Sequence, residues 1–380
     1  MSEDYNRLRL KYHGDSKKLG EILQMECRDK CSRKLSHTLS CKEFIFPSLA
    51  LAEMSTSDAV ADVHASMIDS QCRVLDMTAG LGIDSFHFAA KGCEVTAIEL
   101  SPDASSALRH NAVALGLSDR VRVIEGDSIA WLAGCDEHFD VIFIDPARRD
   151  TSGRHVALKQ CSPDITTSLP LLMSRAKRVI VKLSPMIDIS SAKSELGITH
   201  CDITVIGTSR ECKEVVMSIS ETDAYDTKTG SDTITCVTIG HGSYHVSSLA
   251  GCNYGNPVTG NYLLQPFPAV MKGTGGSLSG YTKLHPSTHL YVTDSPLPDF
   301  PGLHYRIIDI VPFNKRDIKA IRTNYPKINV ITRNFPLSAP ELVKKLSVKE
   351  GGDKMLFGAI MHDGSKALII TESGFRPISS

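Results

Sequence analysis

The chain has 380 residues, of which 42% are hydrophobic and 22% are charged, and its formal net charge is −1. This length exceeds what one domain usually needs, and the balanced charge excludes a protein that binds polyanions through its overall charge. Apolar runs are too short to span a membrane and no signal peptide is visible, so a cytoplasmic protein is expected; eleven scattered cysteines indicate reduced thiols.

The first 70 residues are predicted to be helical. Leu19–Met25 has helical apolar spacing, and Ser55–Asp58 supplies N-cap residues for a later helix. The same region holds a group of three cysteines, Cys27, Cys31 and Cys41. Zinc binding by these thiols with His37 would lack a C-x2-C pair, so we predict no metal site.

Between residues 71 and 222, short β-branched runs alternate with helical segments. The runs are Val74–Leu75, Val95–Ile98, Val121–Ile124, Val141–Ile144 and Val179–Val181. This alternation predicts a parallel sheet flanked by helices. The next two runs, Ile203–Ile206 and Val215–Ile219, leave no room for a crossover helix and are predicted to pair antiparallel. A parallel sheet with an antiparallel last strand is the Rossmann-like α/β layout of class I methyltransferases.

Polar, Gly- and Ser-rich sequence at 223–260 is predicted to be a boundary region with one strand at Thr233–Ile239. Residues 261–380 then form a smaller α+β domain, with a β-α-β-α-β-β run between Tyr305 and Thr371 that suggests a ferredoxin-like fold. Residues 301–349 contain ten Lys and Arg against three Asp and Glu, a weak indication of nucleic-acid binding.

The sharpest motif is the stretch Val74–Gly82, which ends the first strand and leads into a helix. Gly80 and Gly82 allow the backbone to approach a ligand closely, and the following helix offers free amides. Asp76 can face an ammonium group, which S-adenosylmethionine carries in its methionine moiety and NAD does not.

A G-x-G-x-x-G phosphate turn would need a third glycine, but the chain has Ser85 there. Thr78 occupies the position of the first glycine in a standard methyltransferase turn. Glu99 ends the second strand, where a carboxylate can accept both ribose hydroxyls, and Leu100 follows it in the predicted cofactor site. Asp127 and Ser128 close the third strand, where the adenine amine is expected.

The fourth strand ends in Asp145-Pro146-Ala147-Arg148. An acid followed by proline here is similar to the D/N-P-P-Y/F/W motif, which orients an exocyclic amino group toward the methyl donor. Asp145 and Pro146 are therefore predicted to be catalytic. The aromatic residue of the motif is absent, and Arg148 is predicted to stack on a base or hold a phosphate instead. A purely structural Asp145-Pro146 turn is the alternative.

Two other segments are predicted to face the same crevice. Lys182–Pro185 follows the fifth strand, and Glu211–Glu214 starts the last hairpin. Cys212 is a weaker candidate nucleophile, because its charged neighbours are of mixed sign and no activation of the thiolate is visible.

These motifs resemble the bacterial class I methyltransferases that carry a THUMP-like C-terminal domain, over roughly residues 40–375. Thr332–Pro336 and Gly351–Asp353 match the C-terminal part of that family. The cofactor half is also similar to cap-guanine N2 methyltransferases, whose T-P-E-x-x-A segment resembles Thr56–Ala61 and adds Thr56 to the predicted cofactor site. The resemblance implies S-adenosylmethionine as cofactor and, through the THUMP-like domain, RNA as partner.

We therefore predict an S-adenosylmethionine-dependent methyltransferase acting on RNA, at an exocyclic base nitrogen. Methylation of a small molecule or a protein is the alternative within enzymes. An RNA-binding module without turnover is the alternative of another class, which the intact set of Asp76, Gly80, Glu99 and Asp145 disfavours. No membrane and no obligate protein partner are inferred.

Overall fold

The computed structural model describes residues 4–148, 158–220, 232–246 and 251–376. The chain forms two compact units. The first comprises Met1–Ile206 with Glu214–Thr233, and the second comprises Gly207–Lys213 with Ile234–Ser380. Within the described ranges, no helix is both long enough and apolar enough to cross a bilayer.

The first unit begins with four helices. They are α1 (Tyr5–Lys11), α2 (Ser16–Cys31), α3 (Leu49–Met54) and α4 (Asp58–Ser66). Asp15 caps α2, and Ser57, within the predicted N-cap cluster, caps α4 by accepting the Val60 N–H. Helix α2 buries Cys27 and Cys31.

The predicted alternation of strands and helices is confirmed. The strands are β1 (Arg73–Asp76), β2 (Glu94–Glu99), β3 (Val121–Glu125), β4 (Phe139–Ile144), the short β5 (Ala147–Arg148) and β6 (Cys161–Ser162), β7 (Ala176–Leu183), β8 (Asp202–Gly207) and β9 (Cys212–Ser220). The helices between them are α5 (Ile83–Ala90), α6 (Pro102–Ala114), α7 (Ser128–Ala133), α8 (Ile165–Arg175) and α9 (Ile189–Leu196).

Seven strands of the first unit lie in the order β8-β9-β7-β4-β1-β2-β3. Strands β3, β2, β1, β4 and β7 run parallel, and β9 is antiparallel to β7. Because helices cover this sheet, nearly every residue of its central strands is apolar and buried, as in Val141–Ile144. The chain adds strands on one side of β1 up to β3 and then continues on the other side with β4. The carboxyl ends of β1 and β4 therefore border the crevice where such sheets bind ligands.

The second unit contains a hairpin of β10 (Thr233–Thr238) and β11 (Gly242–His245), and an eight-stranded sheet. Its early members are β12 (Asn253–Tyr254), β13 (Tyr262–Pro266), β14 (Thr282–Lys283) and β15 (Tyr291–Thr293), with helix α10 (Pro268–Gly273) after β13.

The predicted β-α-β-α-β-β run is confirmed in the second unit. Its elements are β16 (Gly302–Pro312), α11 (Ile318–Asn324), β17 (Asn329–Arg333), α12 (Ala339–Leu346), β18 (Lys354–Ile360) and β19 (Lys366–Glu372). The eight strands of the sheet lie in the order β12-β14-β15-β13-β16-β19-β18-β17. Ile321 of α11 and Leu342 of α12 pack with Leu356 and Ile370 of the sheet. Phe357 and Ile369 join a separate core cluster, as expected for the opposite face of β18 and β19. The second helix precedes the third strand, whereas it follows that strand in a ferredoxin-like fold.

Candidate active site

The backbone of the turn after β1 lies at the opening of the crevice bordered by β1 and β4. Gly80 and Gly82 have φ of +53° and +88°, a region that other residues rarely adopt. A Cβ on Gly82 would lie 2.1 Å from Leu108 Cδ1, so the position has no room for a side chain. The Ala79 N–H donates to the Ile98 carbonyl at 3.0 Å, which fixes the turn against β2.

A cavity of about 360 Å³ lies beside this turn, within the first unit. Apolar side chains and acidic side chains share its wall. The acidic ones are Asp84, Glu99, Asp127 and Asp145, and none of the described residues that line the cavity is Lys or Arg. The volume is typical of a small-molecule site. The charge pattern suits a cationic ligand and opposes a phosphate-bearing one.

The structure brings most of the predicted cofactor residues to this cavity. Those that line it are Thr56, Thr78, Gly80, Gly82, Glu99, Leu100, Asp127 and Ser128. Asp76 lies beneath the turn and is buried: its oxygens accept the Thr78 N–H at 3.2 Å and the Ser85 hydroxyl at 2.5 Å. Burial raises the pKa of Asp76 to about 7, although the Ser85 hydrogen bond opposes the rise.

Glu99 links the turn to the end of β2. One carboxylate oxygen accepts the Gly80 N–H at 2.9 Å, and the other accepts the Ser101 N–H at 2.8 Å. The side chain therefore has a fixed orientation while it lines the cavity. Asp127 is exposed and caps α7 by accepting the Ala130 N–H at 2.8 Å.

Asp145 lies at the carboxyl end of β4 and also lines the cavity. Its N–H donates to Thr78 Oγ1 at 2.7 Å, so the residue in place of the usual glycine joins the turn to the end of β4. Pro146 is buried and Ala147 lines the cavity. Arg148 pairs with Cys161 in the β5–β6 ribbon, but its side chain lies outside the described part of the structure.

Asp145 is paired with Lys182 of β7 at 2.8 Å. The Asp145 side chain is 44% exposed, but the surface it exposes faces a concave cavity rather than open solvent. Withdrawal from bulk water raises the pKa of Asp145, the Lys182 ammonium lowers it in part, and the carboxylates of Asp84 and Glu214 raise it further.

Sequence reasoning did not identify His64 and Asp84 as part of this region. Asp84 lies in the first turn of α5, two residues after Gly82, and lines the cavity. His64 is buried, with Nδ1 2.7 Å from Asp84 and Nε2 in contact with Glu214. The position of Asp84 two residues after the G-x-G turn was a local signal, whereas nothing local marks His64.

Elsewhere in the first unit, ligand atoms of His37, Asp58 and His87 lie within 4.8 Å of one another. The Asp58 carboxylate already accepts hydrogen bonds from the His37 N–H and from Thr38. His87 pairs with Asp62 at 2.8 Å. The group is explained as a hydrogen-bonded ion-pair cluster between the helical region and α5.

Two family profiles match separate parts of the chain. Residues 51–157 match the profile that describes proposed SAM-dependent methyltransferases, and residues 302–373 match the THUMP domain-like profile. The chain carries a SAM-dependent methyltransferase domain and a THUMP-like domain. The cofactor that this domain family implies is S-adenosylmethionine, and the acidic cavity beside the turn suits its cationic groups.

Curated relatives match the chain over part of their length. The ribosomal RNA small subunit methyltransferase J of Chromobacterium violaceum is 38% identical over 96 residues, which are 23% of this chain and 37% of that protein. The protein of the same name from Aeromonas hydrophila is 33% identical over 128 residues, 29% of this chain and 52% of that protein. The chain thus spans about half or less of the length of these relatives.

A solved structure matches the methyltransferase and THUMP-like domains together. The proposed methyltransferase from Porphyromonas gingivalis W83 is 26% identical, with a TM-score of 0.84, over 98% of this chain and 95% of that chain. Nearly the whole chain therefore has a structural counterpart in that protein.

Proposed function

We propose that this protein transfers the methyl group of S-adenosylmethionine to RNA, at an exocyclic nitrogen of a base. The observation that carries the proposal is the position of Asp145, which faces the acidic cavity beside the glycine turn and is followed by a buried proline. The alternatives, methylation of a protein or of a small molecule, are outcomes of the test below.

The donor set of the cavity fits a sulfonium cofactor. Glu99 and Asp127 provide carboxylates at the ends of β2 and β3, for ribose hydroxyls and the adenine amine, while Leu51, Met54 and Leu100 supply apolar surface. S-Adenosylmethionine carries positive charge on both sulfur and the α-amino group, and the acids around the cavity favour those charges over the pyrophosphate of NAD. When bound, it supplies a methyl group on a good leaving group.

Asp145 would act on the nucleophile. Its Oδ2 is held by Lys182, while no described residue donates a hydrogen bond to Oδ1. We propose that Oδ1 accepts an N–H of the substrate amine and aims the nitrogen lone pair at the methyl carbon. The N–C bond forms as the C–S bond breaks with its electron pair left on sulfur, and the nitrogen then loses one proton through Asp145 to solvent. Orientation of this kind carries much of the rate of a displacement.

RNA as the substrate is supported by the relatives and by the second unit. The curated relatives are named as ribosomal RNA methyltransferases. Exposed basic residues lie on α11, on α12 and on the turn before α11: Lys315, Arg316, Lys319, Arg322, Lys344 and Lys345. We propose that residues 71–222 carry the chemistry and residues 261–380 the RNA contacts. Arg333 is half-buried, and burial lowers its pKa, so it supports this surface less than predicted.

The test is methyl transfer from tritiated S-adenosylmethionine to three separate acceptors. Total bacterial RNA is compared with a protein extract and with a metabolite extract, and the labelled RNA is digested to nucleosides to identify the methylated atom. We expect label on an N-methylated base. Label in protein or metabolites alone would contradict the RNA substrate, and binding of RNA without any transfer would favour a non-catalytic module.

A further inference from the structure

A closed ring of side-chain contacts lies behind Asp145 in the first unit. Lys182 Nζ donates to Thr56 Oγ1 at 3.0 Å, and the Thr56 hydroxyl donates to Asp84 Oδ2 at 2.7 Å. His64 bridges Asp84 and Glu214, and Glu214 returns to Lys182 Nζ at 3.6 Å. The ring combines residues from α4, α5, β7, β9 and the loop before α4. Lys182 is the member that contacts Asp145, at 2.8 Å.

The ring is charged and almost closed to solvent. The side chain of His64 has no exposed surface, and that of Lys182 is 12% exposed. Both ring nitrogens of His64 contact carboxylates, so each nitrogen carries a proton and the imidazole is cationic. Burial alone would lower the pKa of His64, but Asp84 and Glu214 outweigh it and raise the pKa to about 9. Two cations, His64 and Lys182, therefore lie among three carboxylates, those of Asp84, Glu214 and Asp145.

Such an arrangement costs desolvation energy, and a hydrophobic cluster of the same size would often stabilise a fold as well. Through Lys182, the ring contacts the carboxylate of Asp145, which the proposed function places against the nucleophile. Lys182 contacts Oδ2 of that carboxylate, and no described residue donates a hydrogen bond to Oδ1. A second Lys–Asp pair joins the same two strands: Lys177 of β7 contacts Asp140 of β4 at 2.7 Å, with Lys177 81% exposed. That pair offers a matched control without a buried ring.

We propose that Lys182 is a positioning residue for methyl transfer: held by Thr56 and by the Asp84–His64–Glu214 bridge, it fixes the Asp145 carboxylate through Oδ2 and keeps it ionised. This inference rests on the proposed function of Asp145. It gives the buried ring a role in the reaction. It also predicts that two variants shift the acid limb of the kcat–pH profile in opposite directions.

The first prediction concerns removal of the cation. The groups that face Lys182 are Asp145, Asp84 and Glu214, with His64 behind them. In Lys182→Met the lost positive charge raises the pKa of Asp145, so the acid limb of the kcat profile moves to higher pH by about one unit or more. At pH 7 we expect kcat to fall roughly tenfold or more, with S-adenosylhomocysteine affinity within a few-fold of wild type. Lys177→Met should match the wild type in both measurements.

The second prediction concerns removal of a carboxylate. Glu214 raises the pKa of Asp145, so Glu214→Gln should move the acid limb to lower pH, opposite to Lys182→Met. A loss of packing or of stability does not explain shifts of the acid limb in opposite directions in the two variants. The proposal is wrong, and Lys182 is structural, if the acid limb of the kcat–pH profile stays at its wild-type position in both variants. The same conclusion follows if Lys182→Met lowers kcat without moving this limb.

A readout without turnover separates this inference from the proposed function. Asp145 is labelled with carbon-13, its carboxyl signal is assigned with Asp145→Asn, and its titration is followed in the wild type and the two variants. If RNA receives no methyl group, the proposed function fails while the titration still reports whether Lys182 holds Asp145 ionised. If Lys182→Met does not fold, Lys182→Arg keeps the charge and should keep the acid limb, with a lower kcat from altered geometry.

Discussion

At the scale of single residues, the proposed function rests on Asp145. It contacts Lys182 and Thr78 and lines the cavity, but it makes none of the contacts that hold the glycine turn against β2. Asp145→Ala should therefore reduce methyl transfer by a factor of roughly a hundred or more, with S-adenosylhomocysteine affinity within a few-fold of wild type by calorimetry. Asp145→Asn keeps an acceptor oxygen, so partial activity would indicate orientation and full loss would indicate a need for charge. Wild-type turnover in both variants would make Asp145 structural.

Glu99 lines the cavity and is predicted to bind the ribose of the cofactor. Because both of its oxygens already accept backbone N–H groups, its carboxylate is held in place for the ribose without further ordering. Glu99→Ala should weaken S-adenosylhomocysteine binding by about 1 to 3 kcal/mol, since buried hydroxyls lose a charged acceptor and the Gly80 amide loses its partner. Glu125→Ala is the control, because Glu125 is the register partner of Glu99 on β3 and is exposed. Equal affinities in the two variants would remove Glu99 from the site.

The buried imidazolium of His64 has a consequence for stability. Its pKa is about 9 in the folded chain and about 6.5 when unfolded, so the folded state binds the extra proton between these values. The contribution is fully present below pH 6.5 and is lost as pH rises through 9, for a total on the order of 3 kcal/mol. Asp76, with a pKa of about 7, acts mainly at lower pH. Urea unfolding between pH 7 and 8.5 should show stability falling with pH, and His64→Gln should flatten that slope.

At the scale of elements, the turn between β1 and α5 depends on its second glycine more than on its first. A Cβ on Gly80 would make only ordinary contacts, 3.9 Å from Leu51 and from Thr78, while a Cβ on Gly82 would meet Leu108 at 2.1 Å and Phe86 at 2.8 Å. Both residues have positive φ, a strain of about 1 to 3 kcal/mol for alanine. Gly82→Ala should therefore lower the melting temperature clearly more than Gly80→Ala. Equal losses in a thermal unfolding series would show that the contact with Leu108 relaxes without cost.

The elements that sequence predicted are those with local signals. The β-branched runs of β1–β4 and β7 alternate with capped helices, and the eight-residue gap before Val215 excluded a crossover helix, so the sheet of the first unit followed from spacing. Strands β12, β14 and β15 are two or three residues long and lie in Gly- and Ser-rich sequence, so no period of two could be recognised.

In the candidate active site, too, only residues with a local sequence signal could be predicted. Turn residues such as Gly82 and strand-end acids such as Glu99 and Asp145 are marked by their position after a predicted strand. The contact between His64 and Glu214 joins residues 150 positions apart, from a helix before β1 and from the last strand of the sheet. A single sequence contains no signal for such a pair, because each residue alone fits a solvated surface as well as a buried bridge.

At the scale of the whole molecule, the net charge of −1 conceals an uneven distribution. Among the described residues, four acids line the cavity of the first unit, whereas α11, α12 and the turn before α11 carry six exposed basic residues. An acidic cavity suits a cationic cofactor and repels a phosphate backbone. In the proposed function, RNA is therefore bound by another surface, for which the exposed basic residues of the second unit are the candidates.

This division predicts how RNA binding responds to salt. Neutralising one phosphate contact should reduce the slope of log affinity against log salt by about 1, so Lys319→Ala/Arg322→Ala should reduce it by about 2 and weaken binding similarly across RNA sequences. Lys17→Ala/Lys42→Ala, which removes two exposed lysines of the first unit, is the charge-matched control and should keep the wild-type slope. The measurement is fluorescence anisotropy of labelled ribosomal RNA fragments between 50 and about 300 mM salt, with S-adenosylhomocysteine affinity checked in parallel. A wild-type affinity that does not change with salt, or equal slopes in the two double variants, would move the RNA contacts away from α11. If the S-adenosylhomocysteine affinity is unchanged while the RNA slope falls, cofactor and RNA are held by separate surfaces, as the separation of acidic and basic residues requires.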